Sequence, residues 1–277
     1  MGVMELISDY VIPSRRPAVF ISGGLDSTIL LHHLSEQCLI DKIHTFTVGL
    51  PEDNEFDEAR NVAEYYKTIH HEVVASSIMD EYHRVAPLLD RPRFNLWPLY
   101  LYREAKACGC ENVYIGEGLD EHFGGYENKP PMTPQESWGP VLEWSVPTHR
   151  QLAKIFGLKV HTPYFNIPLT DTISLWRDPH IFGAKRMVKK AYRGVIPDRA
   201  LERPKIGGRF NWENPGVWRR EFTELGDVPQ SHEEANRRVN LWIIRIWLEG
   251  QTETYHGEGE APPSTPTHIM DIEVEKP

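Results

Sequence analysis

The chain has 277 residues, 40% of them hydrophobic and 25% charged, with a formal net charge of −10. Those proportions describe a folded globule rather than a disordered chain, and the acidic balance excludes broad electrostatic attachment to nucleic acid. No run reaches the roughly 18 apolar residues that a membrane-spanning helix needs, and no basic-plus-apolar leader opens the chain.

The three cysteines are Cys38, Cys108 and Cys110. An odd count without framework spacing points to a reducing, cytoplasmic compartment. Cys108 and Cys110 form C-x-C and read as small residues in a helix-to-strand turn rather than as a zinc or iron–sulfur site.

Taken in chain order, Ala18–Ile21 reads as a buried strand, followed at once by Ser22-Gly23-Gly24-Leu25-Asp26-Ser27 and a helix over Thr28–Leu34. Ile43–Val48 is a second strand ending at Gly49-Leu50-Pro51. Glu55–Tyr66 carries Phe56, Ala59, Val62, Ala63 and Tyr66 at helical spacing. His70–Val74 is a third strand, with His70 and His71 read as a strand-start pair rather than metal ligands. Leu99–Ala107 is a helix and Val113–Ile115 a fourth strand, leading into a second glycine-rich turn. Pro130–Pro147, rich in Pro, Gly and Trp, predicts an ordered excursion over the sheet, and 148–206 returns to helical patterns. Val239–Leu248 predicts a helix docked on the core. The Pro- and acid-rich segment 251–277 predicts an extended or disordered tail, which puts one domain over 1–250.

Alternating strands and helices of this length imply an α/β fold: an open, mostly parallel sheet with helices on both faces and a helical C-terminal extension. Such sheets bind ligands beyond the carboxyl ends of their strands. Both glycine-rich turns fall there and are expected to approach each other.

In the first turn, Gly23 and Gly24 let the backbone come close to a ligand. Ser22, Leu25, Ser27 and the following amides can donate to phosphate oxygens at a helix start. Asp26 repels phosphate unless a divalent ion such as magnesium bridges the two. The alternative is a tight turn with an ordinary helix cap. The turn lacks both the Gly-Lys-Ser/Thr ending and the G-x-G-x-x-G pattern of the common nucleotide-binding loops.

Ser-Gly-Gly-Leu-Asp-Ser in its strand–helix setting resembles the pyrophosphate-binding loop of the N-type ATP pyrophosphatases. Gly116-Glu117-Gly118-Leu119-Asp120-Glu121-His122-Phe123-Gly124-Gly125-Tyr126 resembles the longer G-E-G-x-D-E-x-F-G-G-Y segment of the asparagine synthetase family. The resemblance covers roughly residues 15–250 and implies an adenine-nucleotide alpha hydrolase-like fold with ATP and magnesium as cofactors. It places Val48, at the end of Phe46-Thr47-Val48-Gly49, near adenine, and Gly116, Glu117 and Gly118 near the nucleotide. Asp26 and Asp120 become metal ligands. Glu117, Asp120 and Glu121 hold magnesium or a cationic substrate group. Lys205, beside Gly207-Gly208, and Lys185 become the cations that face the leaving pyrophosphate, with Arg203 and Arg209 as assistants.

Two departures qualify the resemblance. The family's synthetases begin with a cysteine-led glutaminase domain. Here no cysteine follows Met1 and the loop begins at residue 22, so nitrogen is expected from ammonia, an amine substrate or a separate glutaminase subunit. In the region of the family's G-x-E-x-R-x-P-F-L-D, Lys159 replaces the acid, His161 the arginine and Asn166 the aspartate, which argues against aspartate as the substrate. Lys159 faces either an acidic substrate or solvent.

The expected activity is adenylation of a substrate carboxylate, release of pyrophosphate, and amide formation with ammonia or an amine. The rivals are modification of a tRNA base, for which Arg91, Arg93, Phe94 and Trp97 are the suggestive nearby cluster, and a nucleotide-binding subunit without catalysis. Sequence patterning leaves the oligomeric state open.

Overall fold

The computed structural model of the chain describes residues 2–38, 43–50, 54–75, 78–93, 96–125, 134–172, 185–204 and 231–255. It forms two compact units, one of Met1–Gly49, Glu55–Val73 and Pro98–Ile206, the other of Leu50–Asn54, Val74–Trp97 and Gly207–Pro277.

In chain order the described elements begin with α1 (Val3–Ser8), β1 (Pro17–Phe20), α2 (Leu25–Gln37), β2 (His44–Gly49), α3 (Phe56–Tyr66) and β3 (Ile69–Val74). Next come α4 (Ile78–Val85), α5 (Leu99–Ala107), β4 (Asn112–Tyr114), α6 (Leu119–Phe123), α7 (Pro134–Pro140), α8 (Val146–Ile155) and β5 (Lys159–His161). The series closes with α9 (Leu169–Thr172), α10 (Arg186–Tyr192), α11 (Asp198–Leu201) and α12 (His232–Tyr255).

The five strands among the described residues lie in one sheet of order β3-β2-β1-β4-β5. β1 runs parallel to β2 and to β4, and β4 runs parallel to β5. The chain therefore builds outward on one side of β1 and later on the other. The turns after β1 and β4 open on the crevice where the order reverses, which is where open α/β sheets take their ligands.

β1 is buried along its whole length, and its alternate residues serve two layers. Val19 and Ile21 share a core with Ile29, Leu30 and Leu34 of α2 and Ala59, Val62 and Ala63 of α3. Phe20 meets Tyr102 of α5 edge-on at 5.0 Å. α2 is covered over most of its surface, and its buried residues include the polar Ser27, Thr28, His33 and Ser35 beside the leucines. Ile29, Leu30, Leu31 and Leu34 are fully buried, each stabilising the fold by about 1.5–3 kcal/mol. α3 is one-sided, with Ala59, Val62, Ala63 and Tyr66 inward, and stops where Lys67 turns left-handed at φ 54°.

The expected elements match these within a few residues, with additions. β5 lies inside the stretch expected to be helical. Three residues carry no periodic signal, and the pairing Asn112↔Lys159 with its neighbours makes the strand. From Pro134 onward the excursion proves helical: α7 passes through a π-helical turn at Val141–Ser145 into α8, while 130–133 lie outside the described residues.

In the second unit, α12 extends well beyond the expected Val239–Leu248, from His232 to Tyr255. Trp247 Nε1 donates to Leu89 O at 2.9 Å, and Gln251 Nε2 to Pro87 O at 3.0 Å. A Cβ on Gly250 would lie 2.2 Å from Pro87 Cβ. Arg93 is 1% exposed and holds Asp90 through bonds of 2.9 and 3.0 Å, so it offers no surface cation. Phe94 and the tail after Tyr255 lie outside the described residues.

Candidate active site

Helix α2 starts directly after the first glycine-rich turn. Gly24 is its extended N-cap, and Thr28 ties back to Gly24 O through its amide at 3.1 Å and its hydroxyl at 2.7 Å. The turn is further closed by Ser22 N–H to Ser27 Oγ at 3.3 Å and Gly24 N–H to Ser22 Oγ at 3.3 Å. Gly23 is left-handed at φ +71°, and a Cβ there would lie 2.4 Å from the carbonyl carbon of Glu58. Glycine is thus required both by backbone angle and by close approach to α3.

Two arginines hold this turn from outside. Arg203 donates to Ser22 O and to Glu55 Oε1. Arg199 grips Glu58 with two bonds of 2.7 Å, and that hydrogen-bonded cation holds the Glu58 carboxyl below its ordinary value.

The second turn packs onto the first. A Cβ on Gly116 would lie 3.0 Å from the Ser27 amide nitrogen. Gly118 begins α6 at φ +105°, against Tyr164 and Phe165. At the end of α6, Gly124 and Gly125 both donate to Asp120 O, at 2.9 and 3.1 Å. A Cβ on Gly125 would fall 1.4 Å from Asp120 Oδ1 and 2.7 Å from Lys185 Cε.

Lys185 joins the two turns. It is the left-handed N-cap of α10, at φ 53°, and its backbone amide donates to Gly124 O at 3.3 Å. Its ammonium contacts Asp26 Oδ1 and lies 2.6 Å from Asp120 Oδ1. The lysine side chain is 8% exposed and those of Asp26 and Asp120 are 23% and 10% exposed. Burial on its own would lower the Lys185 pKa; the two carboxylates, Asp26 foremost, outweigh it and raise the value.

A third cluster borders the second turn. Glu117 Oε1 accepts from Ser145 Oγ at 2.7 Å and lies 3.3 Å from His149 Nε2, while His149 Nδ1 meets Tyr102 OH at 2.9 Å. Burial first, and Glu117 second, push the Tyr102 hydroxyl well above its ordinary pKa.

Residues 11–166, more than half of the chain, match the family model described as asparagine synthase. The chain belongs to the asparagine synthase family. A Dictyostelium discoideum protein described as a probable glutamine-hydrolysing asparagine synthetase is 33% identical over 241 residues, 70% of this chain and 41% of that protein. The maize asparagine synthetase is 36% identical over 123 residues, 39% of this chain and 21% of that protein. Asparagine synthetase B of Escherichia coli is 32% identical over 127 residues, again 39% of this chain and 23% of that protein. The chain thus spans less than half the length of these curated relatives. Among solved structures, NMN synthetase from Francisella tularensis aligns over 95% of both chains at 13% identity with a TM-score of 0.41.

For this member of the asparagine synthase family, the expected site residues separate into groups. Ser22, Gly23, Gly24, Leu25, Asp26 and Ser27 meet Gly116, Gly118, Asp120 and Lys185 at the carboxyl ends of β1 and β4. Val48 is half-buried near the carboxyl end of the adjacent β2. Glu117 is drawn toward α8. Glu121 is 3% exposed, and its carbonyl accepts Trp138 Nε1 at 3.1 Å. Lys205 and Arg209 lie outside the described residues.

Lys159 does not join them. It is exposed at the first position of β5, paired with the first residue of β4, and in a parallel sheet that end is opposite the turns. The departing segment reaches the site through Tyr164 instead. This residue is fully buried, and its hydroxyl donates to Asp26 O at 2.7 Å. His161 stacks on Tyr114 at 4.5 Å and meets Asn112 Oδ1 at 2.9 Å.

Sequence reasoning missed Tyr164, Ser145, His149, Glu55 and Glu58. No glycine-rich or charged motif flags them.

Proposed function

We propose that this chain is an ATP-dependent amide-forming ligase. A substrate carboxylate is adenylated at the α-phosphate of ATP, pyrophosphate leaves, and ammonia or an amine takes the acyl group as AMP departs. The observation that carries this is the meeting of Asp26, Asp120 and Lys185, from three separate segments, at the reversal point of the sheet. Membership of the asparagine synthase family supports the same reaction class.

The residues suit the groups this chemistry needs. The first turn offers two glycines, two serine hydroxyls and the positive end of α2, the features that receive phosphate oxygens. Asp26 and Asp120 present hard oxygen donors converging on one point, now met by the Lys185 ammonium, and such a pair suits magnesium. Magnesium bound there supplies charge neutralisation for the phosphates.

Lys185 brings a largely desolvated cation to the pyrophosphate side, where a fixed charge stabilises the transition state more than one in water. Arg203 and Glu55 keep the first turn in shape without touching substrate. Lys205, outside the described residues, is assigned the same role from the sequence alone. Glu117, Asp120 and Glu121 form the acidic side for substrate. The protein needs no covalent nucleophile; proximity and charge suffice.

The test is substrate-dependent exchange of radiolabelled pyrophosphate into ATP, over a panel of carboxylic acids without amine. Exchange with one acid, lost in Asp26→Ala, supports the proposal and identifies the acid. No exchange and no AMP formation across the panel, despite ATP binding, overturns it.

A further inference from the structure

We propose that His44, His71 and Cys108 form a binding site for a thiophilic divalent metal ion, zinc by preference, at the end of the sheet remote from the glycine-rich turns. Read along the chain, these residues are unrelated: a strand start, a strand-start pair and half of a C-x-C. The fold brings them together. His44 opens β2, His71 lies on the neighbouring β3, and Cys108 caps the end of α5 just before β4.

One donor atom from each of the three lies within 4.8 Å of the other two. His44 Nδ1 is 2.9 Å from His71 Nε2, and Cys108 Sγ is 3.8 Å from His71 Nδ1. Zinc bonds of about 2.0–2.3 Å to nitrogen and sulfur span such a cluster after small side-chain rotations. The ring of His71 packs on Phe46 at 4.5 Å and against His44 at 5.1 Å, and His44 lies 6.2 Å from Phe46, so the three rings restrict one another.

The donor types suit such an ion once the thiol proton is lost. Burial lowers the pKa of both imidazoles, which keeps them neutral with lone pairs to offer. Burial first, and the Glu104 charge second, raise the Cys108 thiol, so metal binding must expel its proton to solvent. Glu104 also acts on His71, placing a negative charge near the cluster. Two nitrogens and one sulfur select zinc or copper over magnesium or calcium.

Access is built in. His44 and Cys108 line a cavity of ≈ 810 Å³ together with Arg16, Cys38 and Cys110. Three protein ligands beside a cavity leave a fourth position for water or an incoming ligand, the pattern of an open zinc site. Bound metal would tie β2, β3 and α5 at the end of the sheet that the nucleotide side does not use.

The test uses the full chain, freed of metal by chelator under a non-thiol reductant and titrated with Co²⁺. Expected is one equivalent of binding with a thiolate-to-cobalt charge-transfer band, displaced by Zn²⁺. Cys108→Ser should abolish the band, and His71→Gln should weaken zinc binding at least about 100-fold, the upper range for loss of a mere outer-shell partner. Cys38→Ser, in the same cavity but outside the cluster, should retain both. Absence of the band in the wild-type chain overturns the proposal without recourse to any variant. So does a band that survives Cys108→Ser, or one lost in Cys38→Ser. None of these readouts uses ATP, so this site and the ligase reaction stand or fall separately.

Discussion

The ammonium of Lys185 lies 2.6 Å from Asp120 Oδ1 with Asp26 as its other partner, so one cation neutralises acids delivered by two different turns. Replacing it by Met leaves both carboxylates without their shared counter-charge. Lys185→Met should reduce pyrophosphate exchange at least about 100-fold and lower folding stability by about 3–5 kcal/mol. Adding Asp120→Asn should restore part of the stability but not the exchange. Urea denaturation and exchange assays on the two variants check both statements.

Gly125 and Asp120 compete for the same space. Gly125→Ala drives a methyl to within 1.4 Å of the Asp120 carboxylate, so that carboxylate must move off Lys185. A stability loss of about 1–3 kcal/mol is expected from the overpacking, with a parallel fall in exchange. Gly139→Ala, where nothing lies within 4 Å of the added carbon, is the matched control and should not reduce exchange.

Arg203 braces the first turn through Ser22 O and Glu55, so under the proposed reaction its effect on ATP is expected to come through that turn. Arg203→Ala removes its hydrogen bonds to Ser22 O and Glu55, and charged hydrogen bonds contribute about 1.5–3 kcal/mol each. The KM for ATP should rise about tenfold or more, with kcat less affected. Arg203→Lys should recover only part, because a lysine cannot reproduce the guanidinium fork. Steady-state kinetics separates the two parameters.

Lys159 tests the placement of the site. An exposed residue at the opposite end of β5 should tolerate substitution, so Lys159→Ala should leave exchange within about twofold and stability within about 0.5 kcal/mol. A large loss of exchange would show that the acid-to-lysine change in this segment reaches the substrate after all.

Acid should destabilise the fold through His33 and His122. Burial depresses both from 6.5 to about 4, with His32 adding to the effect on His33. His33 lies 2.5 Å from Tyr192 OH, and His122 lies 2.9 Å from Thr172 Oγ1. The unfolded chain takes up these protons first, so stability is retained above pH 6.5 and lost as pH falls toward 4, by on the order of 3 kcal/mol per group. Lys185 has the opposite sign. Its raised pKa makes its contribution fully present below 10.5, and that contribution is lost as pH climbs through the folded value. Urea unfolding from pH 4.5 to 7.5, with His33→Gln, measures the acid limb.

Local chemistry along the chain makes much of this protein legible. Buried apolar runs such as Ala18–Ile21, each followed by glycines, specify strand-to-turn steps because few other residues permit the turn. Helical spacing in Glu55–Tyr66 survives folding because its inward face is what the sheet must cover. The meeting of the two glycine-rich turns followed from topology, since parallel strands put such turns at one end.

Tertiary structure alone decided the partners. Nothing along the chain tells that Lys185, 159 residues from Asp26, caps α10 with its ammonium between two acids. Nor does it tell that Tyr164 supports the Asp26 carbonyl while nearby Lys159 points to the other end. Side-chain meetings across distant segments depend on strand register and helix placement. For the same reason His44, His71 and Cys108 read as three ordinary residues in the sequence and become a cluster only when β2, β3 and α5 are packed together.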